Sequence, residues 1–284
     1  MPTRYRRAVD SHYPLPRVEI EPDWLDALAY GIDYAMGGNR LAPIVDPRQV
    51  LDVGCGTGEW CASLARRFPH AQVVGVDIKD YVRDYNLTKT PPPNFRFARV
   101  NVMEGLPFTA RTFDYTHQRN MVAGIPFLQF KGAVAELVRV TTPGGYVELV
   151  ECLPNPTFVV PEGPMTAALW GYFRRLGDRA NLDSEGRVAR LLEIYLRDAG
   201  ATNIDARTVA VPIGEWGDPR DWQGISGRLL QSSFRALFLA LIPRFKRYGL
   251  EEGDARELID GFLAEATENS ATIRYKTVYG QAPA

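Results

Sequence analysis

Histidine and cysteine are scarce in this chain, three of each in 284 residues. Cys55, Cys61 and Cys152 match no zinc-ligand spacing, and three scattered thiols in a chain of this length do not make a disulfide framework. No metal site is expected, and Cys55 and Cys61 read as small hydrophobes. An excess of charge of one sign is also missing. Lys and Arg number 33 against 34 Asp and Glu, a formal net charge of −1, and there is no basic tail. That argues against a nucleic-acid partner held by phosphate neutralisation. Long apolar runs are absent too. The longest covers residues 236–242, far short of the roughly 18–20 residues a membrane span needs. The N-terminus is Arg-rich without an apolar core, so no secretory signal is expected and a reduced, cytoplasmic compartment is the default.

What the chain does have is Val50-Leu51-Asp52-Val53-Gly54-Cys55-Gly56-Thr57-Gly58. An apolar strand runs into three glycines at every second residue, with a helical pattern behind them. Glycines allow a sharp turn and admit a ligand where a Cβ would clash. The following helix directs its free N–H groups at whatever sits there. A dinucleotide fingerprint would place a third glycine where Glu59 stands, and that carboxylate opposes a pyrophosphate. A phosphate loop would need a lysine after Gly58, and none follows. A second buried strand, 72–77, ends in Asp77. An acid about 20 residues beyond such glycines accepts hydrogen bonds from ribose hydroxyls; capping the next helix is its alternative task.

The pattern D-x-G-x-G-x-G resembles motif I of the class I S-adenosylmethionine-dependent methyltransferases. Three more segments follow in that family's order. Residues 95–103 look like the third strand and adenine loop, with Asn101 where many relatives carry Asp. Residues 113–119 look like the fourth strand. Thr142-Pro143-Gly144-Gly145 and the residues after it look like the turn into the fifth. The resemblance implies S-adenosyl-L-methionine as cofactor. It implies contacts from Asp52, Gly54, Cys55, Gly56, Thr57, Gly58 and Trp60, from Asp77 and Ile78, from Asn101, Val102 and Met103, and from Gln118 and Arg119. In that family the loop faces the methionine part, and the acid at position 52 assists its ammonium. Tyr13-Pro14-Leu15-Pro16, Pro92-Pro93-Asn94-Phe95 and the stretch 113–120 are similar to the fungal methyltransferase-domain regulators of secondary metabolism and their bacterial relatives. That likeness fades beyond residue 155.

Strands alternating with helices imply an α/β fold with a parallel sheet and right-handed crossovers. The expectation is a Rossmann-like, seven-stranded, mostly parallel sheet whose last strand, 272–279, is antiparallel, with helical lid insertions. Four segments follow. Residues 1–44 form an N-terminal arm and lid helix, and 45–152 the cofactor-binding half. Residues 153–186 form a lid segment. Residues 187–284 complete the core, with a helical lid insertion at about 214–268. The lid is rich in aromatic residues, among them Trp170, Phe173, Trp222, Phe234 and Phe238, which suggests an apolar or ring-bearing ligand.

Methyl transfer from a sulfonium is an in-line displacement with a neutral leaving group. It needs alignment and exclusion of water, and a base only if the acceptor must lose a proton. His12 falls in the arm and His70 in a surface turn. His117, near the end of the fourth strand, is the first candidate base or substrate contact, with a core role as its alternative. Glu151, at the end of the fifth strand, is the second, and Tyr5 and Tyr13 could close over the site. The expected partner is a small-molecule methyl acceptor, aromatic or apolar, without nucleic acid or membrane; a homodimer is left open. The competing reading is a regulator that keeps the fold and works through a partner protein.

Overall fold

Val50, Leu51 and Val53 are buried on both faces of β1 (Gln49–Val53), as befits the central strand of a parallel sheet. In the computed structural model, described over residues 23–80, 91–154 and 157–284, β1 is followed by α2 (Glu59–Arg67), β2 (Gln72–Asp77), β3 (Phe95–Arg99) and β4 (Phe113–Arg119). Then come α3 (Phe127–Val140), β5 (Thr141–Cys152), α4 (Pro164–Arg179), α5 (Arg187–Asp198) and β6 (Thr202–Pro212). The chain closes with α6 (Trp222–Phe245), α7 (Glu252–Glu268) and β7 (Thr272–Gln281), while α1 (Asp23–Met36) precedes β1. The expected N-terminal arm, with Tyr5 and Tyr13, and part of the loop after β2 lie outside the described residues.

The seven strands form one sheet in the order β3-β2-β1-β4-β5-β7-β6. Neighbours from β3 to β5 run parallel, and β7 lies antiparallel between β5 and β6. This is the expected mostly parallel sheet with an antiparallel last strand. The order reverses between β1 and β4, where α/β sheets open a crevice at the carboxyl ends of their strands.

Alternation along the strands sorts the two faces. Leu51, Val53, Leu149 and Val278 pack with α3 and α5 in one cluster. On the other face Val50 and Tyr115 pack against α2. Further along that face, Val150 and Tyr275 meet the lid, built from α1, α4, α6 and α7. The stretch Trp222–Tyr248 is by length and composition apolar enough to cross a membrane, but Leu230, Phe234, Phe238 and Leu241 bury it in the lid cluster. Helix α1 joins sheet to lid. Its Gly31 lies so close to α6 that a Cβ would fall 2.2 Å from Leu230 Cδ1, and Ser226 Oγ donates to the Gly31 carbonyl at 2.7 Å.

Candidate active site

The glycine loop is laced to β2. The N–H groups of Gly54 and Cys55 both donate to the Val76 carbonyl, at 2.8 and 3.0 Å. This turn holds Gly54 at φ +77° and Gly56 at φ +54°, the left-handed region where a side chain is strained. A Cβ on Gly54 would fall 2.2 Å from Met121 Sδ, whereas one on Gly56 would meet only Leu25 Cδ1 at 3.8 Å. Gly56 therefore borders open space, a cradle that a side chain would fill.

That space is a cavity of about 710 Å³, within the roughly 300–1,000 Å³ typical of small-molecule sites. The carboxyl ends of β1, β2 and β4 line it with Asp52, Gly54, Asp77 and Arg119; the lid lines it with Trp170, Phe173 and Phe238, and the segment between β5 and α4 adds Phe158.

Asp77 receives the Gly56 N–H on Oδ2 at 3.0 Å and the Lys79 N–H on Oδ1 at 3.1 Å. It thus ties the loop to the end of β2 and caps the following turn. Burial pushes its carboxyl up to about 6, against the pull of those N–H groups. Asn101 Oδ1 accepts from Met103 N at 3.1 Å and fixes the short turn 102–104, so Asn101, Val102 and Met103 line the cavity beside Ile78. Thr57 and Glu59 are engaged by α1: Thr57 Oγ1 donates to Asp26 at 2.6 Å, and Tyr30 donates to Glu59 at 3.0 Å.

His117 is almost fully buried, and its Nδ1 lies 2.8 Å from Asp52 Oδ1. Trp60 stacks on its ring at 4.0 Å and 8°, and Trp60 itself is pinned by Nε1 to the Asn39 carbonyl at 2.8 Å. His117 Nε2 is buried without a hydrogen-bond partner among the described residues. The histidine contributes to the cavity wall, but both faces of its role are visible: it orients Asp52, and its other nitrogen is shut in.

Two expected residues stand apart from the cavity. Gln118 points to the face shared with Thr116 and is fully buried, and it does not line the cavity. Glu151 is also fully buried. Its two oxygens accept the Met121 N–H at 2.8 Å and the Val122 N–H at 3.2 Å. Burial raises its carboxyl to about 8, opposed by those two donors. Glu151 shapes the turn after β4 and through it places Met121 behind Gly54; it does not face the cavity where an acceptor would sit. Cys55 and Cys61 are buried, and burial lifts both thiols, Cys55 to about 11, as small hydrophobes require.

A methyltransferase-domain family profile matches residues 50–145, the strands and loops just described. Methyltransferase str2 of Strobilurus tenacellus is 30% identical over 273 residues, covering 94% of each chain. The chain belongs to the class I S-adenosylmethionine-dependent methyltransferases. The secondary metabolism regulator laeA of Aspergillus niger is 25% identical, over 87% of this chain and 65% of its own. In fold the methyltransferase is similar to the Haemonchus contortus phosphoethanolamine N-methyltransferase 2. The TM-score is 0.54 at 15% identity, over 94% of this chain and 59% of that one.

The cradle in front of Gly56 fits S-adenosylmethionine, and the acids around it suit a ligand that carries a sulfonium and an ammonium. Three polar residues of α1, none of them among the expected contacts, also border the cavity. Asp26, Tyr30 and Asp33 lie at i, i+4 and i+7 on α1, one helical face, and all three border the cavity. Asp33 pairs with Arg119 at 2.7 Å. In the sequence this spacing is interleaved with the apolar stripe of Leu28, Ile32 and Met36 that packs the same helix.

Proposed function

We propose that this methyltransferase acts on a small aromatic or apolar metabolite whose body lies against Phe158, Trp170, Phe173 and Phe238. The observation that carries this is the continuity of one cavity from the glycine loop to a ring stack. Phe158 and Trp170 are parallel at 4.2 Å, and Phe173 stacks on Trp170 at 5.0 Å. When bound, the cofactor supplies a methyl on a sulfonium, with a neutral thioether as leaving group. The loop from Gly54 to Gly58, with Cys55, Thr57 and Trp60, holds its methionine part, with Asp52 toward the ammonium. Asp77 accepts the ribose hydroxyls, and Ile78, Asn101, Val102 and Met103 enclose the adenine. His117 keeps Asp52 oriented, and Glu151 holds Met121 and Val122 in place. Arg119 closes the site on the β4 side, and the lid excludes water, which an in-line displacement requires.

Isothermal titration with S-adenosylmethionine, S-adenosylhomocysteine and NAD tests the cofactor assignment in this chain. Micromolar binding of the two sulfur ligands and none of NAD is expected; the reverse pattern would overturn it. The acceptor class is then read by quenching of tryptophan fluorescence with aryl ligands, since Trp170 borders the cavity. The likeness to laeA supports a second reading, in which the cofactor binds and a partner protein, not a metabolite, is engaged. Sulfur-ligand binding without any quenching or turnover by aryl acceptors would favour it.

A further inference from the structure

An acceptor with a hydroxyl must give up a proton, and Nε2 of His117, the nitrogen not bonded to Asp52, is buried without a hydrogen-bond partner among the described residues. Asp33 and Arg119 are placed differently. Their ion pair, Nη1 to Oδ1 at 2.7 Å, keeps 20% of the Asp33 and 11% of the Arg119 side chain accessible, and both residues border the cavity. Among the described residues the side-chain hydrogen bond of the pair uses Oδ1 of Asp33 and Nη1 of Arg119, which leaves Oδ2 of the one and Nε and Nη2 of the other to a ligand.

Strand register sets where the pair lies. Asp52 of β1 is level with His117 of β4, and Arg119 follows two residues later on the same face. Across β5, Arg119 is level with Val150, and Cys152, two residues on, is level with Tyr275 of β7. Arg119 therefore stands between the glycine loop over β1 and the aromatic wall of the lid. That is where the reacting atom of an acceptor must be if its rings lie against that wall.

A lone carboxylate would select a cation, and a lone guanidinium an anion. A tight pair with spare lone pairs on one side and spare N–H groups on the other carries no net charge. It matches a neutral hydroxyl, which donates to the carboxylate and accepts from the guanidinium. We propose that Asp33 is the general base of the methyl transfer and that Arg119 holds the acceptor oxygen, so that the acceptor is a phenol or enol docked by its hydroxyl. This rests on the methyl-transfer reading above and assigns its acceptor chemistry.

The step balances without a further reagent. The acceptor O–H breaks and its proton passes to Asp33 Oδ2. The oxygen electron pair forms the O–CH₃ bond, and the C–S bonding pair stays with sulfur, which leaves uncharged. Arg119 remains protonated throughout and compensates the charge that builds on oxygen. Burial already biases Asp33 toward accepting a proton, against the pull of Arg119.

Binding is measured first, by tryptophan quenching of protein saturated with S-adenosylhomocysteine. The wild type should bind 2-naphthol at least about tenfold tighter than 2-methoxynaphthalene, and Asp33→Asn should lose most of that preference. Initial rates with S-adenosylmethionine then separate the base from mere docking. Asp33→Asn should methylate 2-naphthol at least about 100-fold more slowly. 4-Nitrophenol, already ionised near neutral pH, should be far less affected. Asp33→Glu, which keeps a carboxylate, should retain much of the naphthol rate and guards against a folding artefact. Equal binding of the two naphthalenes, equal slowing of both phenols, or a wild type that methylates neither would overturn the assignment. S-adenosylhomocysteine titrated into the same protein keeps the outcomes apart: its failure to bind sinks the methyl-transfer reading, whereas its binding without these preferences sinks only the role of Asp33 and Arg119.

Discussion

Gly56 and Asp77 line the proposed cofactor site from the two ends of one hydrogen bond, 3.0 Å from the Gly56 N–H to Asp77 Oδ2. A valine at 56 would be strained at φ +54° and would project into the cavity. Backbone strain alone costs about 1–3 kcal/mol, and occupation of the cradle adds to it. Gly56→Val should therefore leave no measurable heat when titrated with S-adenosylhomocysteine. Asp77→Ala should weaken that titration by about 1–3 kcal/mol, the cost of unpaired ribose hydroxyls. Because burial holds the Asp77 carboxyl up at about 6, it becomes protonated as the pH falls through that value and loses acceptor capacity. Ribose hydroxyls favour the ionised form, so affinity should fall below pH 6, by up to about tenfold per pH unit. Asp77→Asn should bind more weakly and show no such slope; a sloping profile in that variant would assign the titration to another group.

Glu151 gives a stability signature of its own. Its folded carboxyl sits at about 8, raised by burial from the ordinary 4.5. Between those values the unfolded chain has released a proton that the folded chain keeps, so stability declines as the pH rises through the window. From pH 6 to pH 8 the melting temperature should drop by roughly 5 °C. Glu151→Gln still offers an oxygen to one of the two N–H groups and has no proton to lose. Its melting temperature should stay level over the same range, as differential scanning calorimetry would reveal.

At the scale of elements, the lid divides the labour between two ends of one cavity. Helix α1 reaches the glycine loop through Asp26 and Tyr30, whereas Trp170 of α4 stacks on Phe158 and Phe173 away from the loop. Trp170→Ala should accordingly leave the affinity for S-adenosylhomocysteine within about twofold, while binding of an aryl acceptor weakens by about 1–3 kcal/mol from lost area and ring stacking. Equal damage to both ligands would mean that Trp170 supports the lid as a whole. Elements of this kind were legible where their residues repeat with one period. The glycine spacing, the acid ending β2 and the alternation of β7 each depend on local backbone geometry, and the structure has them where the pattern put them. The roles of His117 and Glu151 were not legible, because they depend on which neighbour a buried polar atom meets. The stacking of Trp60 on His117 joins residues 57 positions apart, and Glu151 reaches back to N–H groups 29 and 30 residues earlier. No window of sequence contains such pairs.

For the whole molecule, ligand binding should couple to stability through α1. This helix borders the glycine-loop end of the cavity and packs on α6, whose Phe234 and Phe238 belong to the same apolar cluster as Val150 and Tyr275 of the sheet. A ligand seated under α1 therefore braces lid and sheet together, and unfolding of either must release it. At a ligand concentration 100 times Kd this adds about 2.7 kcal/mol to the folded state, or roughly 5–10 °C in melting temperature for a domain of this size. S-Adenosylhomocysteine should produce that shift in the wild type and none in Gly56→Val, and NAD should produce none in either. If only part of the transition moves, with an early unshifted phase, the lid melts independently of the cofactor half and α1 does not couple them.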